Sequence, residues 1–360
     1  MTARNGWSGL RLLAALAALL FTASVASACG SASAASEPSG SGDAAELRLG
    51  YFANLTHALP VLGVDDGQYQ QSLGATKLTT QVFNAGPAAV EAILSGAVDA
   101  AYVGPNPAIG AYTQSGGEAI RIISGATSGG AQFVVKPEVT TDNLKGRTFA
   151  TPQLGNTQDV ALRYWLQQQG LSAPKAGGGD VNVQPMENST TLAQFKSGAI
   201  DGAWLPEPWA SRLVLEGGAK VLVDEATLWP EGQFVTTQLI VATPFLQKYP
   251  ATVSKLLAGQ LATQALIQQD PTRARDETNA ALAKLTGKAL SPAVLERAWP
   301  TLTITADPIA SSLAADQEHA VSTGLAKPFD LNGIYDLRPL NALLTAAGQP
   351  AVGADGLGAQ

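Results

Sequence analysis

Ser95-Gly96-Ala97-Val98-Asp99-Ala100-Ala101-Tyr102 is echoed 102 residues later by Ser197-Gly198-Ala199-Ile200-Asp201-Gly202-Ala203-Trp204. In each copy the glycine suits the left-handed residue that ends a helix. The aspartate then stands at the start of an apolar strand, where a short carboxylate bonds turn amides. A proline-bearing helix start follows each copy: Gly104-Pro105-Asn106-Pro107 and Pro206-Glu207-Pro208-Trp209. A double glycine and a second apolar strand come next, Gly116-Gly117 before Ile120–Ile123 and Gly217-Gly218 before Val221–Val223. Two copies are too few for a solenoid. They suit two similar α/β lobes that face each other. Asp99 and Asp201 read as structural, not as paired catalytic acids. They sit at strand beginnings, whereas ligands of open α/β sheets collect at the carboxyl ends.

Outward from the repeat, strands and helices alternate. Leu47–Phe52 and Lys77–Phe83 read as strands, a helix follows His57, and Gly86-Pro87 opens another helix. Such alternation predicts mostly parallel sheets covered by helices. Two apolar runs, Ala131–Val135 and Thr237–Ala242, each precede an X-Pro step and read as crossovers between lobes. The expected division is 46–136 with 239–348 for the first lobe and 137–238 for the second. The stretch after Ala242 is helix-rich, with starts at Ala251, Pro271 and Pro292.

Apolar residues make up 46% of the 360 and charged residues 14%, with a net charge of −7. A large core follows, and a nucleic-acid surface does not, because no Lys/Arg cluster exists to meet phosphates. The chain has one cysteine and two histidines, too few for a disulfide or a His/Cys metal site. No cofactor is expected. Residues 1–28 carry Arg4, Arg11, an uncharged run from Leu12 and the ending Ala26-Ser27-Ala28, the plan of a secretory signal peptide. Cys29 follows at once and resembles the lipidated cysteine of a bacterial lipobox, although Ala26 stands where Leu, Val or Ile is usual. Ordinary secretion is the alternative. Residues 29–45 are rich in Ser, Ala and Gly, and read as a flexible tether from a membrane surface.

LGYFANLTHALPVLG (49–63), FNAGPAAVEAILSGAVDAAYVGPNPAI (83–109), SGGAQFVV (128–135) and DGAWLPEPWASRL (201–213), in this order, resemble the solute-binding proteins of the aliphatic-sulfonate, taurine and nitrate transport family. The resemblance covers about 46–340. It implies a two-lobed periplasmic-binding-protein-like (type II) α/β fold with two crossovers. It also implies capture of a small anion and delivery to an ABC permease, with no catalysis. Taurine, nitrate and a thiamine-pyrimidine precursor stay open as ligands. The body is expected to act as a monomer outside the cytoplasmic membrane.

Strand carboxyl ends and helix starts nominate the site. From the first lobe come Asn54, Thr56 and His57, then Asn84 and Gly86, then Asn106. From the second come Asn156, Thr157 and Gln158, faced by Glu207 and Trp209. A helix N-terminus offers free N–H groups and about half a positive charge. Short polar residues let those amides approach an oxyanion, and no Arg or Lys lies in these segments. Each candidate has a plainer role. Asn54, Thr56, Asn84 and Thr157 would serve as N-caps, His57 and Trp209 as packing rings, and Glu207 as an acid stabilising its own helix. As a ligand group, Glu207 would instead pair with an amine. An exported enzyme on a similar fold is the competing class, but no GxSxG or zinc motif supports it. A sensor partnered with a membrane kinase is a third.

Overall fold

The computed structural model describes residues 42–360; the expected leader, Cys29 and most of the tether lie outside that range. The chain begins with four strands of one sheet: β1 (Glu46–Phe52), β2 (Lys77–Phe83), β3 (Ala100–Val103) and β4 (Ile120–Gly129). It then builds a second sheet from β5 (Ala131–Val135), β6 (Thr148–Thr151), β7 (Asn182–Pro185), β8 (Gly202–Pro206) and β9 (Lys220–Asp224). It returns to the first with β10 (Val235–Ala242), and adds β11 (Leu302–Ile304), β12 (Tyr335–Asp336) and β13 (Gly358–Ala359). The first sheet runs β13-β12-β4-β10-β3-β1-β2, with β11 also on β4; the second runs β7-β6-β8-β5-β9.

The two sheets share one rule. β1 is parallel to β2 and β3, and β6 is parallel to β7 and β8. Each sheet also holds one antiparallel strand between two neighbours: β10 between β3 and β4, β5 between β8 and β9. Each of these is the first strand laid down after the chain changes sheets. They are the two apolar runs read above as crossovers. The register makes them sheet members, buried on both faces, which is why they are continuously apolar. The passages lie just before them, at Gly129-Gly130 and between Asp224 and Val235. Ala131–Val135 therefore sits in the second sheet, not with 46–130, and the first sheet extends past 348 to β13. Both glycines are left-handed (φ 76° and 73°), and a Cβ on Gly129 would come within 2.6 Å of the Thr301 carbonyl oxygen. Only glycine turns the chain there without a clash.

The repeat takes the same form in both lobes. Gly96 and Gly198 are left-handed (φ 73° and 82°). Asp99 accepts the Arg48 amide at 2.9 Å, and Asp201 accepts the Thr148 amide at 2.9 Å. An arginine pairs with each acid, Arg48 at 2.6 Å and Arg147 at 3.1 Å. The helices that follow sit on the sheet faces. Leu49, Leu59 and Leu257 pack on one face of the first sheet, and Val103, Ile109, Ile240 and Leu313 on the other. Phe133, Phe149, Trp165 and Trp204 fill one face of the second, Val134, Leu205 and Leu213 the other. Each such side chain contributes about 1.5–3 kcal/mol on burial. Among the described residues no helix is long and apolar enough to cross a membrane.

Candidate functional site

A cavity of about 380 Å³, counting its open mouth, lies where the carboxyl ends of both sheets meet. Four helices begin at it: Gly86–Leu94, Pro105–Gln114, Thr157–Gln168 and Asn188–Ser197. The lining includes Ala85 and Gly86 of the first, Gly104 and Pro107 of the second, Asn156, Thr157 and Gln158 of the third, and Asn188 of the fourth. Proline in the first turn of two of them removes an amide that no helix needs and pre-sets the entry angle. Ala85 and Gly104 are N-caps without a side-chain bond, so neither competes with a ligand for the first-turn amides. Asn156 caps its own helix, accepting the Asp159 amide at 3.1 Å.

The candidates divide. Asn54, Thr56, His57, Asn84, Gly86, Asn156, Thr157 and Gln158 line the cavity; Asn106, Glu207 and Trp209 do not. Asn106 turns away and donates from Nδ2 to the Asp316 carbonyl at 3.1 Å. Trp209 donates from Nε1 to Asn54 Oδ1 at 2.9 Å, so it braces a lining residue from behind. Glu207 is wholly buried, accepting the Ser211 amide (3.0 Å), the Ser211 hydroxyl (2.9 Å) and Arg297 (3.2 Å). Burial raises its pKa, opposed by the Ser211 bonds and the Arg297 charge. Its carboxylate is spent on its own helix start and on an arginine.

Residues that sequence reasoning missed complete the walls: Phe52, Pro152, Asn188, Pro206, Thr236 and Thr237. Phe52, Pro152 and Pro206 lie at or just beyond the ends of β1, β6 and β8, and that position was the available signal. Thr236 and Thr237 come from β10, the return strand, whose apolar run masked them.

The lining is polar but not ionised. Among the described residues, His57 is its one titratable side chain. Burial lowers its pKa to about 3, so the ring is neutral. Nδ1 accepts the Phe52 amide at 3.4 Å, which leaves the proton on Nε2. The ring packs 4.2 Å from that of Phe52. Three lining atoms are buried without a hydrogen-bond partner among the described residues: Thr157 Oγ1, Asn188 Oδ1 and Thr237 Oγ1. Buried polar atoms are nearly always satisfied, so these are the groups a polar guest would engage. The lobes also touch around the cavity. Asn84 Nδ2 donates to Glu187 Oε1 at 2.6 Å, and a Cβ on Gly104 would strike Thr157 Oγ1.

The chain is similar to known binding proteins. A protein described as binding aliphatic sulfonates, from Escherichia coli (strain K12), is 26% identical over 278 residues, 76% of this chain and 81% of the relative. The taurine-binding periplasmic protein of the same organism is 24% identical over 228 residues, 62% and 68% of the two chains. Among solved structures, the alkanesulfonate-binding protein SsuA of Xanthomonas axonopodis pv. citri, bound to MOPS, shares the fold with a TM-score of 0.66 at 23% identity. That match covers 80% of this chain and 96% of SsuA. The periplasmic nitrate-binding protein NrtA of Synechocystis PCC 6803 does so with a TM-score of 0.67 at 15% identity, covering 79% and 82%. These fold matches agree with the two-lobed architecture read from the repeat. The model of the NMT1-like family matches residues 40–285, well over half of the sequence, and the chain belongs to that family.

Proposed function

We propose that this chain is the solute-capturing protein of an ABC import system, closing its two lobes on a small anion, an aliphatic sulfonate first among them, and passing it to a membrane permease. One observation carries the reading: four helix N-termini meet at a single interlobe cavity whose lining holds no ionised side chain. Aligned peptide dipoles and free N–H groups are enough to hold an oxyanion. Neutral His57, with its proton on Nε2, adds a donor without a charge. The binding proteins among the relatives agree with a role in capture without catalysis.

The lining also argues about the rest of the ligand. A taurine-like solute carries an ammonium, and a buried unpaired charge costs several kcal/mol. No carboxylate lines the cavity, and Glu207 is already engaged with Arg297. A sulfonate without an amine is therefore favoured over taurine. Thermal unfolding with methanesulfonate, ethanesulfonate, taurine, nitrate, sulfate and an aminopyrimidine tests this. A ligand bound only by the folded state stabilises it by about 2.7 kcal/mol at a hundredfold excess over Kd. The alkanesulfonates should raise the Tm more than taurine does. No response to any sulfonate, with a response to the aminopyrimidine, would sink the reading. On the same reading the protein works outside the cytoplasmic membrane as a monomer, held by lipid on Cys29. Cys29→Ala should release it from the membrane fraction, and retention there would refute the anchor.

A further inference from the structure

Arg297 lies outside the cavity and has no part in the capture just described. It belongs to the helix Pro292–Ala298, whose Leu295 and Ala298 are buried in the core of the first lobe. Its polar partners among the described residues all belong to the second lobe. Nη1 donates to Glu207 Oε1 at 3.2 Å and to Ser211 Oγ at 2.6 Å; Nη2 donates to Gln132 Oε1 at 2.7 Å. Glu207 and Ser211 are wholly buried and Gln132 nearly so.

These partners flank both passages between the sheets. The Glu207 amide donates to the Gly130 carbonyl at 2.8 Å, on the first passage, and the Glu207 carbonyl accepts the Leu55 amide of the first lobe at 3.2 Å. Gln132 stands two residues past Gly130, and its Nε2 donates to Asp224 Oδ2 at 3.1 Å. Asp224 opens the second passage and caps its first turn by accepting the Ala226 amide. One guanidinium fork thus ties both connections to the first lobe. Lysine could not copy it, because a single ammonium lacks the two separate nitrogens that reach Glu207 with Ser211 and Gln132. Two other interlobe pairs differ in kind: Asn84–Glu187, beside the cavity, and Gln167–Ser322, at the far end of the helix Thr157–Gln168, are both exposed.

We infer that Arg297 is a positioning residue for closure: it pins the corner about which the two lobes turn, so that exposed contacts at the mouth open while this corner stays joined. The inference rests on the capture reading only in supposing that the lobes move. Its test therefore uses no solute. In the full chain with Cys29→Ser, the lone native thiol is gone, and spin labels go on Glu91→Cys and Ala193→Cys, exposed positions on first-lobe and second-lobe helices. The distance distribution between labels is the readout, with thermal stability recorded beside it. The parent should give one narrow distribution. Arg297→Met should broaden it and lengthen its mean, and Arg297→Lys should fall between. Arg297→Met strands the buried Glu207 charge, so Arg297→Met with Glu207→Gln is the control for folding. It should recover thermal stability yet keep the broad distribution. An unchanged distribution in Arg297→Met, or one restored together with stability in the double variant, would overturn the pivot and leave Arg297 a stabilising ion-pair partner only.

Discussion

The segments 95–107 and 197–209 begin alike and end differently. Through Asp99 and Asp201 the likeness extends to individual bonds: a left-handed glycine, an aspartate accepting the amide of a neighbouring strand, and an arginine on the acid. Past the strands they part. In the first copy, Gly104 and Pro107 line the cavity and the helix start is left open to it. In the second, only Pro206 lines it; Glu207 turns to Arg297 and Trp209 to Asn54. The same local code thus builds both lobes, while use of the helix start depends on what the opposite lobe presents.

The contrast can be broken most severely at Gly104. A larger side chain there must enter the space held by Thr157 across the cavity. Gly104→Leu should weaken solute binding on the order of a hundredfold, in line with the roughly 1–3 kcal/mol that overpacking costs. Titration calorimetry with methanesulfonate checks this, and Pro206→Ala at the matching position should lose far less. Equal losses would erase the asymmetry between the copies.

The shared half of the motif predicts equality instead. Asp99→Ala and Asp201→Ala each leave a strand amide without its acceptor and should each destabilise by about 1–3 kcal/mol in denaturant unfolding. Neither should alter solute affinity. An affinity change in one alone would mean that the aspartates are not structural equivalents.

Thr157→Val sharpens the account of the cavity wall. It removes one of the unpartnered lining hydroxyls while keeping shape. A hydrogen bond to a charged group contributes about 1.5–3 kcal/mol, so affinity should fall at least about tenfold with the Tm of the free protein nearly unchanged. No loss would exclude that hydroxyl from the ligand.

The smallest effect at neutral pH is that of His57. Its folded pKa, about 3, lies below its unfolded value. The unfolded chain therefore takes up the proton first as pH falls. The stability linked to this is complete above about pH 6.5 and drains by up to about 1.4 kcal/mol per pH unit below it. His57→Asn should flatten the acid side of the stability curve. His319, held at about 4 by burial, leaves a remaining slope in the same window. Solute affinity of the parent should stay level from pH 8 down to 5, because His57 remains neutral throughout.

The lining of the candidate cavity was legible wherever it followed from chain direction. Asn54, Asn84, Gly86, Asn156 and Thr157 stand after strands and at helix starts, positions that alternation alone predicts. Glu207 and Trp209 obeyed the same rule and still missed the cavity. Their partners Arg297 and Asn54 lie 90 and 155 residues away, and no local pattern reports them. Thr236 and Thr237 were hidden for the opposite reason: a strand buried on both faces reads as core, although its end can line a cavity.

From the sequence alone came the two lobes, the strands and helices that build them, and the structural office of Asp99 and Asp201. Those features depend on periodicity and glycine conformation, written within a few residues. The bonds of the two acids do not: Asp99 and Asp201 accept the amides of Arg48 and Thr148, 51 and 53 residues away on neighbouring strands, and not the turn amides that local reading expects. The passages at Gly129-Gly130 and Asp224–Val235, the divergent fates of the two helix starts and the Arg297 fork were decided by tertiary structure. Each depends on groups brought together across the lobes, where burial and the need to satisfy a buried carboxylate outweigh local preference.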